Sequence, residues 1–117
     1  MGTVEAYEFT CKCGCGLNNV KPKTVEMFAD ARAIAKVPFV FNSGCRCRNH
    51  NAEIKGKPGS SHLSGWAGDI STVGSFMRFR VLKGLIMAGF TRIEIRETWI
   101  HGDIDPEKTG EVIWLDN

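Results

Sequence analysis

The spacing of apolar and polar positions changes several times along the chain, and each change marks an element. Residues 10–22, "TCKCGCGLNNVKP", have no period and are rich in Gly, Asn and Cys, which predicts an irregular loop. Pro22 is placed to open a helix. Val25, Phe28, Ala29 and Ala33 then fall on one helical stripe that Arg32 interrupts, with Ala31, Ile34 and Ala35 beside it. The spacing predicts a helix over 22–36, ended by Pro38. "FVFNS" reads as a short buried strand. Residues 44–61 are rich in loop formers, with a short helix expected around "RNHNAEI" and a turn at "KPGSS". "AGDIS" predicts a second strand. Phe76, Phe79, Val81, Leu82, Leu85 and Ile86 give a second amphipathic helix over 74–88, closed by Gly89. "RIEIRETWIHGDID" alternates apolar and polar residues, as one strand or as two with a bend near Glu97, and "EVIWL" is a last strand. The order predicts an α+β domain: an antiparallel sheet with helices packed on one side.

At 117 residues the chain suits a single domain spanning 1–117. Such a domain buries roughly 65% of its unfolded surface, enough for one ordinary core. An apolar fraction of 43% with 24% charged residues is that of a soluble globular protein. A net charge of +2, with the basic residues scattered, argues against a nucleic-acid partner. No apolar stretch approaches a membrane span, so no membrane insertion is expected. The start, "MGTVEAYEFT", lacks a basic segment followed by an apolar run, and Ala6 stands where myristoylation needs Ser or Thr. The expectation is therefore a monomer synthesised in the cytoplasm without a signal peptide. The five cysteines are an odd number, which argues against a fully paired disulfide framework.

"SSHLSGWAGDI" places His62 and Asp69 seven residues apart, with Gly65 and Gly68 between them, and His101 follows in "TWIHGDID". Two imidazoles and a carboxylate form a ligand set that suits zinc, and a catalytic zinc keeps a fourth position open. Glycines in the first segment allow the backbone to bend and return a second ligand to the same ion. Set against this, two histidines and an aspartate occur in most proteins, and the spacing alone is a weak signal.

The surrounding residues sharpen it. Ser60, His62, Gly65, Ala67 and Asp69 resemble the Ser-x-His-x-x-Gly-x-Ala-x-Asp motif of the zinc D-alanyl-D-alanine peptidases, the M15 family, which shares its fold with the hedgehog signalling domain. "WIHGDID" resembles the second motif of that family, and "FNSGCRCRNHN" its Ser-Gly-Tyr-Arg segment, with Cys45 at the usual Tyr. "FTCKCGCG" and the helix after it look like the small single-domain, phage-type branch. The resemblance implies a hedgehog/DD-peptidase fold with Zn2+ on His62, Asp69 and His101. It implies Arg46 as the holder of a substrate carboxylate or carbonyl, and Ser60 as a contact either to substrate or to the residues behind the metal ligands. Arg46 suits that task, because a guanidinium binds a carboxylate through two parallel hydrogen bonds. The implied activity is hydrolysis of the stem peptide of cell-wall peptidoglycan, as a carboxypeptidase or an endopeptidase. The compact length without a visible signal suits a phage or prophage protein released by another factor.

One branch of the family has Glu three residues before the second histidine, and here Thr98 stands there. On a regular strand Glu97, Trp99, His101 and Asp103 share a face. Glu97 is then the expected general base and Asp103 the residue that orients His101, with the reverse assignment open. Without that glutamate, a non-catalytic zinc module of the same fold is the rival reading. A cysteine-cluster interaction module of a phage particle is another. Cys11, Cys13 and Cys15 alternate with Lys12 and Gly14, unlike the Cys-x-x-Cys of zinc knuckles. With Cys45 and Cys47 they offer a structural metal site or a disulfide, and the expectation is that they are small buried residues instead.

Overall fold

The computed structural model describes residues 4–115, so the reading of Met1 and Gly2 lies outside the described residues. A 3₁₀ turn at Ala6–Phe9 precedes helix α1 (Pro22–Ala35), strand β1 (Phe41–Ser43), the short helix α2 (Arg48–Glu53), strand β2 (Ala67–Ser71), helix α3 (Ser75–Ala88), and strands β3 (Arg92–Ile95), β4 (Trp99–Asp103) and β5 (Val112–Leu115). This is the expected α+β architecture. The five strands form one sheet in the order β1-β2-β4-β3-β5. All pairs are antiparallel except β3 with β5, which is parallel. Among the described residues no helix is long and apolar enough to cross a membrane.

Strand alternation divides the sheet into two chemically different faces. Phe41, Ile70, Ile93 and Ile100 are buried in one core with Phe28, Ala31 and Ala35 of α1 and Val81 and Leu85 of α3. The ring of Phe28 meets that of Phe41 edge-on at 5.1 Å. Gly68 and Gly102 complete this face by leaving room: side chains there would press on Phe28 and Phe41, and on Phe90 and Leu85.

Both helices differ from the expectation in rotation, not in extent. In α1 the buried stripe is Thr24, Phe28, Ala31 and Ala35, while Ala33 is exposed. In α3 the buried residues are Val81, Gly84 and Leu85, and Phe76, Phe79 and Ile86 point outward. The cause is close helix packing. A side chain on Gly84 would run into the Ala31 carbonyl, so the smallest residues face the neighbour and bulk is turned away.

Candidate metal centre and cleft

The face of the sheet opposite the helices carries the polar residues. Register places Ser43, Asp69, His101, Glu94 and Trp114 side by side in one row across all five strands. His62 reaches the row from the turn over 61–65. Gly65, at φ 81°, turns the chain there, packed so closely on the Asn19 carbonyl that a side chain has no room. Gly68 is regular strand backbone, so of the two expected bends only Gly65 is one.

His62, Asp69 and His101 are buried, and their ligand atoms converge. His62 Nε2 lies 3.1 Å and His101 Nδ1 2.9 Å from Asp69 Oδ1, and the two nitrogens are 3.2 Å apart. The outer nitrogens fix the tautomers. His62 Nδ1 is 2.7 Å from the Gly44 carbonyl oxygen, which can only accept, so this nitrogen carries hydrogen. His101 Nε2 is 2.6 Å from Asp103 Oδ2 and donates to that carboxylate. In neutral rings the inner nitrogens are then bare lone pairs, both turned on a carboxylate oxygen. Three acceptors so close repel each other unless a cation lies among them.

A proton is one such cation. Burial lowers the His101 pKa, but hydrogen bonds to Asp103 and Asp69 outweigh it and raise it to about 9. For His62 burial prevails and the pKa falls. Burial would raise Asp69, yet its two imidazole neighbours hold it well below the usual carboxylate range. A metal ion is the other cation. Zinc bonds of about 2.0–2.1 Å to nitrogen and oxygen imply tetrahedral edges of roughly 3.3 Å, near the separations found here. The donor set, two imidazole nitrogens and one carboxylate oxygen, fits zinc with a position left over.

The supporting residues are tied to these three side chains. Asp103 is buried and ion-paired with Arg92, whose Nε lies 3.1 Å from Oδ1. Oδ1 accepts from the Asp105 amide at 3.1 Å, and Oδ2 accepts from His101 and, at 3.4 Å, from Arg92 Nε. It stands behind the ring of His101 and orients it. Arg46 donates to Ser43 Oγ, to Asn51 Oδ1 and, at 3.3 Å, to Asp69 Oδ2. It therefore grips the second oxygen of Asp69 while lining the same cleft. Ser60 also lines the cleft, its hydroxyl oxygen accepting from the His62 amide at 3.2 Å.

Glu97 is elsewhere, and its expected place is corrected. It lies exposed in the turn between β3 and β4, outside both strands, where its carbonyl accepts from Arg78. The strand is broken by a hairpin, so alternation cannot run from 97 to 101. Glu94 takes the position instead: it is the cross-strand partner of His101 and lines the cleft. Of the two readings of "RIEIRETWIHGDID", two strands with a bend near Glu97 is the one observed, though it did not single out Glu94. Sequence reasoning also passed over Asn51, which holds Arg46, and Arg92, which holds Asp103.

The cleft has a volume of about 850 Å³ and is lined by six cationic side chains, Arg46, Lys55, Lys57, Arg92, Arg96 and Lys108, against the carboxylates of Asp69, Glu94 and Asp103. Trp99 and Trp114 form its aromatic wall, with the guanidinium of Arg96 over the first ring and that of Arg92 over the second.

The cysteines also depart from expectation. Cys11 and Cys45 are buried, Cys47 is half-buried, and Cys13 and Cys15 are exposed, with no disulfide among them.

The family model described as Peptidase M15 matches residues 3–103. No match was found among curated proteins.

Proposed function

The chain belongs to the peptidase M15 family, and on that premise we propose that it is a zinc peptidase that hydrolyses the stem peptide of bacterial peptidoglycan. The observation that carries this reading is the convergence of His62 Nε2, His101 Nδ1 and Asp69 Oδ1, three acceptors that require a cation between them. Zinc on these atoms supplies Lewis acidity, polarising the scissile carbonyl and lowering the pKa of a coordinated water to about 7.

The chain's own groups supply the rest. Glu94, beside His101 on the cleft side, accepts the proton of the attacking water on its carboxylate and delivers it to the departing amine. Asp103 is excluded from that task because both its oxygens are engaged, and it holds the hydrogen on His101 Nε2 so that Nδ1 stays a donor of electrons. Gly44 does the same for His62 through its carbonyl. Arg46 steadies Asp69 with one nitrogen and faces the cleft, where it meets a substrate carboxylate or carbonyl. Ser60 contributes a hydroxyl to the same wall. The surplus of cations suits a peptide that carries carboxylates, and the two tryptophans give such a chain a flat apolar surface.

Incubating the zinc-loaded chain with purified peptidoglycan and with a soluble stem peptide tests the reading. Release of free D-alanine marks a carboxypeptidase, and new internal amino groups mark an endopeptidase. Neither product from any such substrate overturns the proposal.

A further inference from the structure

We propose that Cys11, Cys13, Cys15 and Cys47 bind a second, structural zinc ion, separate from the His62/Asp69/His101 centre. Their four sulfur atoms all lie within 4.8 Å of one another. Cys11 Sγ is 3.5 Å from Cys13 Sγ, and Cys13 Sγ is 3.7 Å from Cys47 Sγ. Zinc–sulfur bonds of about 2.3 Å imply tetrahedral edges of roughly 3.8 Å. A disulfide needs about 2.05 Å, so these sulfurs are spaced for a shared ion and not for bonding to each other.

The backbone is arranged to gather them. The Cys11 amide donates to the Leu17 carbonyl at 2.9 Å, closing the loop. Gly14 and Gly16, at φ 88° and 84°, turn the chain within it. Three ligands can thus come from five consecutive residues, tighter than the two-to-four-residue gaps of common zinc sites. Backbone amides are aimed at the sulfurs: that of Cys47 at Cys11 Sγ, that of Leu17 at Cys15 Sγ, and that of His50 at Cys47 Sγ. Amide donors to sulfur favour thiolates, the form that binds metal.

The odd cysteine is accounted for. Cys45 is buried in the apolar core, with its sulfur toward Asn18 Oδ1, and it is not part of the cluster. Four cysteines bind and one packs. Position gives the ion its task. Cys47 follows Arg46, which grips Asp69, and Gly44, whose carbonyl fixes His62, lies in the same short segment. The Cys45 amide already joins that segment to the Phe9 carbonyl at 2.7 Å. Zinc on the four sulfurs fastens the 11–17 loop to the segment that supports the other centre.

Metal analysis of the full chain, purified under reducing conditions with zinc supplied, tests this. The expected content is two zinc ions in the unaltered chain, one in Cys13→Ser, one in His62→Ala and two in Cys45→Ser. The cobalt-loaded His62→Ala chain should show an intense near-ultraviolet sulfur-to-metal charge-transfer band. Should Cys13→Ser fail to fold, alkylation of the unaltered chain decides: the exposed Cys13 and Cys15 should be protected with zinc bound and react after chelation. Equal zinc in Cys13→Ser and the unaltered chain, iron in place of zinc, equal alkylation with and without zinc, or a disulfide within the four would overturn the proposal. Because His62→Ala removes only the other ion, failure here is distinguishable from failure of the peptidase reading.

Discussion

His101 uses both of its nitrogens, and this determines what each neighbour does. Asp103 takes the hydrogen on Nε2, so Asp103→Asn removes the charge that holds the ring and should weaken zinc binding about 10- to 100-fold, read by competition with a chromophoric chelator. Glu94→Gln should keep zinc and lower hydrolysis by about two to four orders of magnitude, while Glu97→Gln in the exposed turn should leave the rate unchanged. Equal rates for both variants would remove Glu94 from the mechanism. The pH dependence has a definite sign. Without an ion, His101 is protonated below about 9, and zinc must displace that proton. His62, lowered from its ordinary value by burial, loses its proton before His101 does. Apparent zinc affinity at this centre should therefore rise about tenfold per pH unit toward 9 and flatten above it. Titration of metal-free Cys13→Ser with zinc at several pH values measures this at the histidine centre alone. The residues proposed as zinc ligands were legible because a local motif carries two of them. Glu94 was not, because its nearness to His101 depends on which residues form a turn, and alternation is blind to that choice.

At the scale of elements, α1 and α3 show how small residues set packing. Gly84 faces the Ala31 carbonyl, and any side chain there meets backbone that cannot swing aside. Gly84→Ala gains up to about 1 kcal/mol in helix propensity. The clash costs about 1–3 kcal/mol. The clash wins, so the substitution should lower the midpoint of denaturant unfolding, and a raised midpoint would contradict this packing. The extents of both helices were readable from Pro22, Pro38 and Gly89. Their orientations were not. Apolar side chains lie on more than one side of each helix, so periodicity offered several stripes, and the identity of the buried one was decided by a neighbour distant in sequence. In α3 the outward Phe76 and Phe79 made the wrong stripe look stronger.

For the whole molecule, the sheet divides the labour: one face holds the aromatic core against α1 and α3, and the other holds the candidate metal centre and the cleft. The α+β class followed from the order of elements. The strand order and the parallel β5 did not, because such pairings are non-local and leave no periodic trace. Yet that order is what lines up Asp69, His101, Glu94 and Trp114 in one row. The central claim is that the zinc on His62, Asp69 and His101 is the one that drives hydrolysis. The most direct measurement compares zinc content and peptidoglycan hydrolysis in the unaltered chain and in His62→Ala. The account predicts that His62→Ala loses one zinc ion and all measurable hydrolysis while remaining folded by circular dichroism. His62→Ala that keeps its full zinc content, or that loses an ion and still cleaves at the unaltered rate, would contradict it.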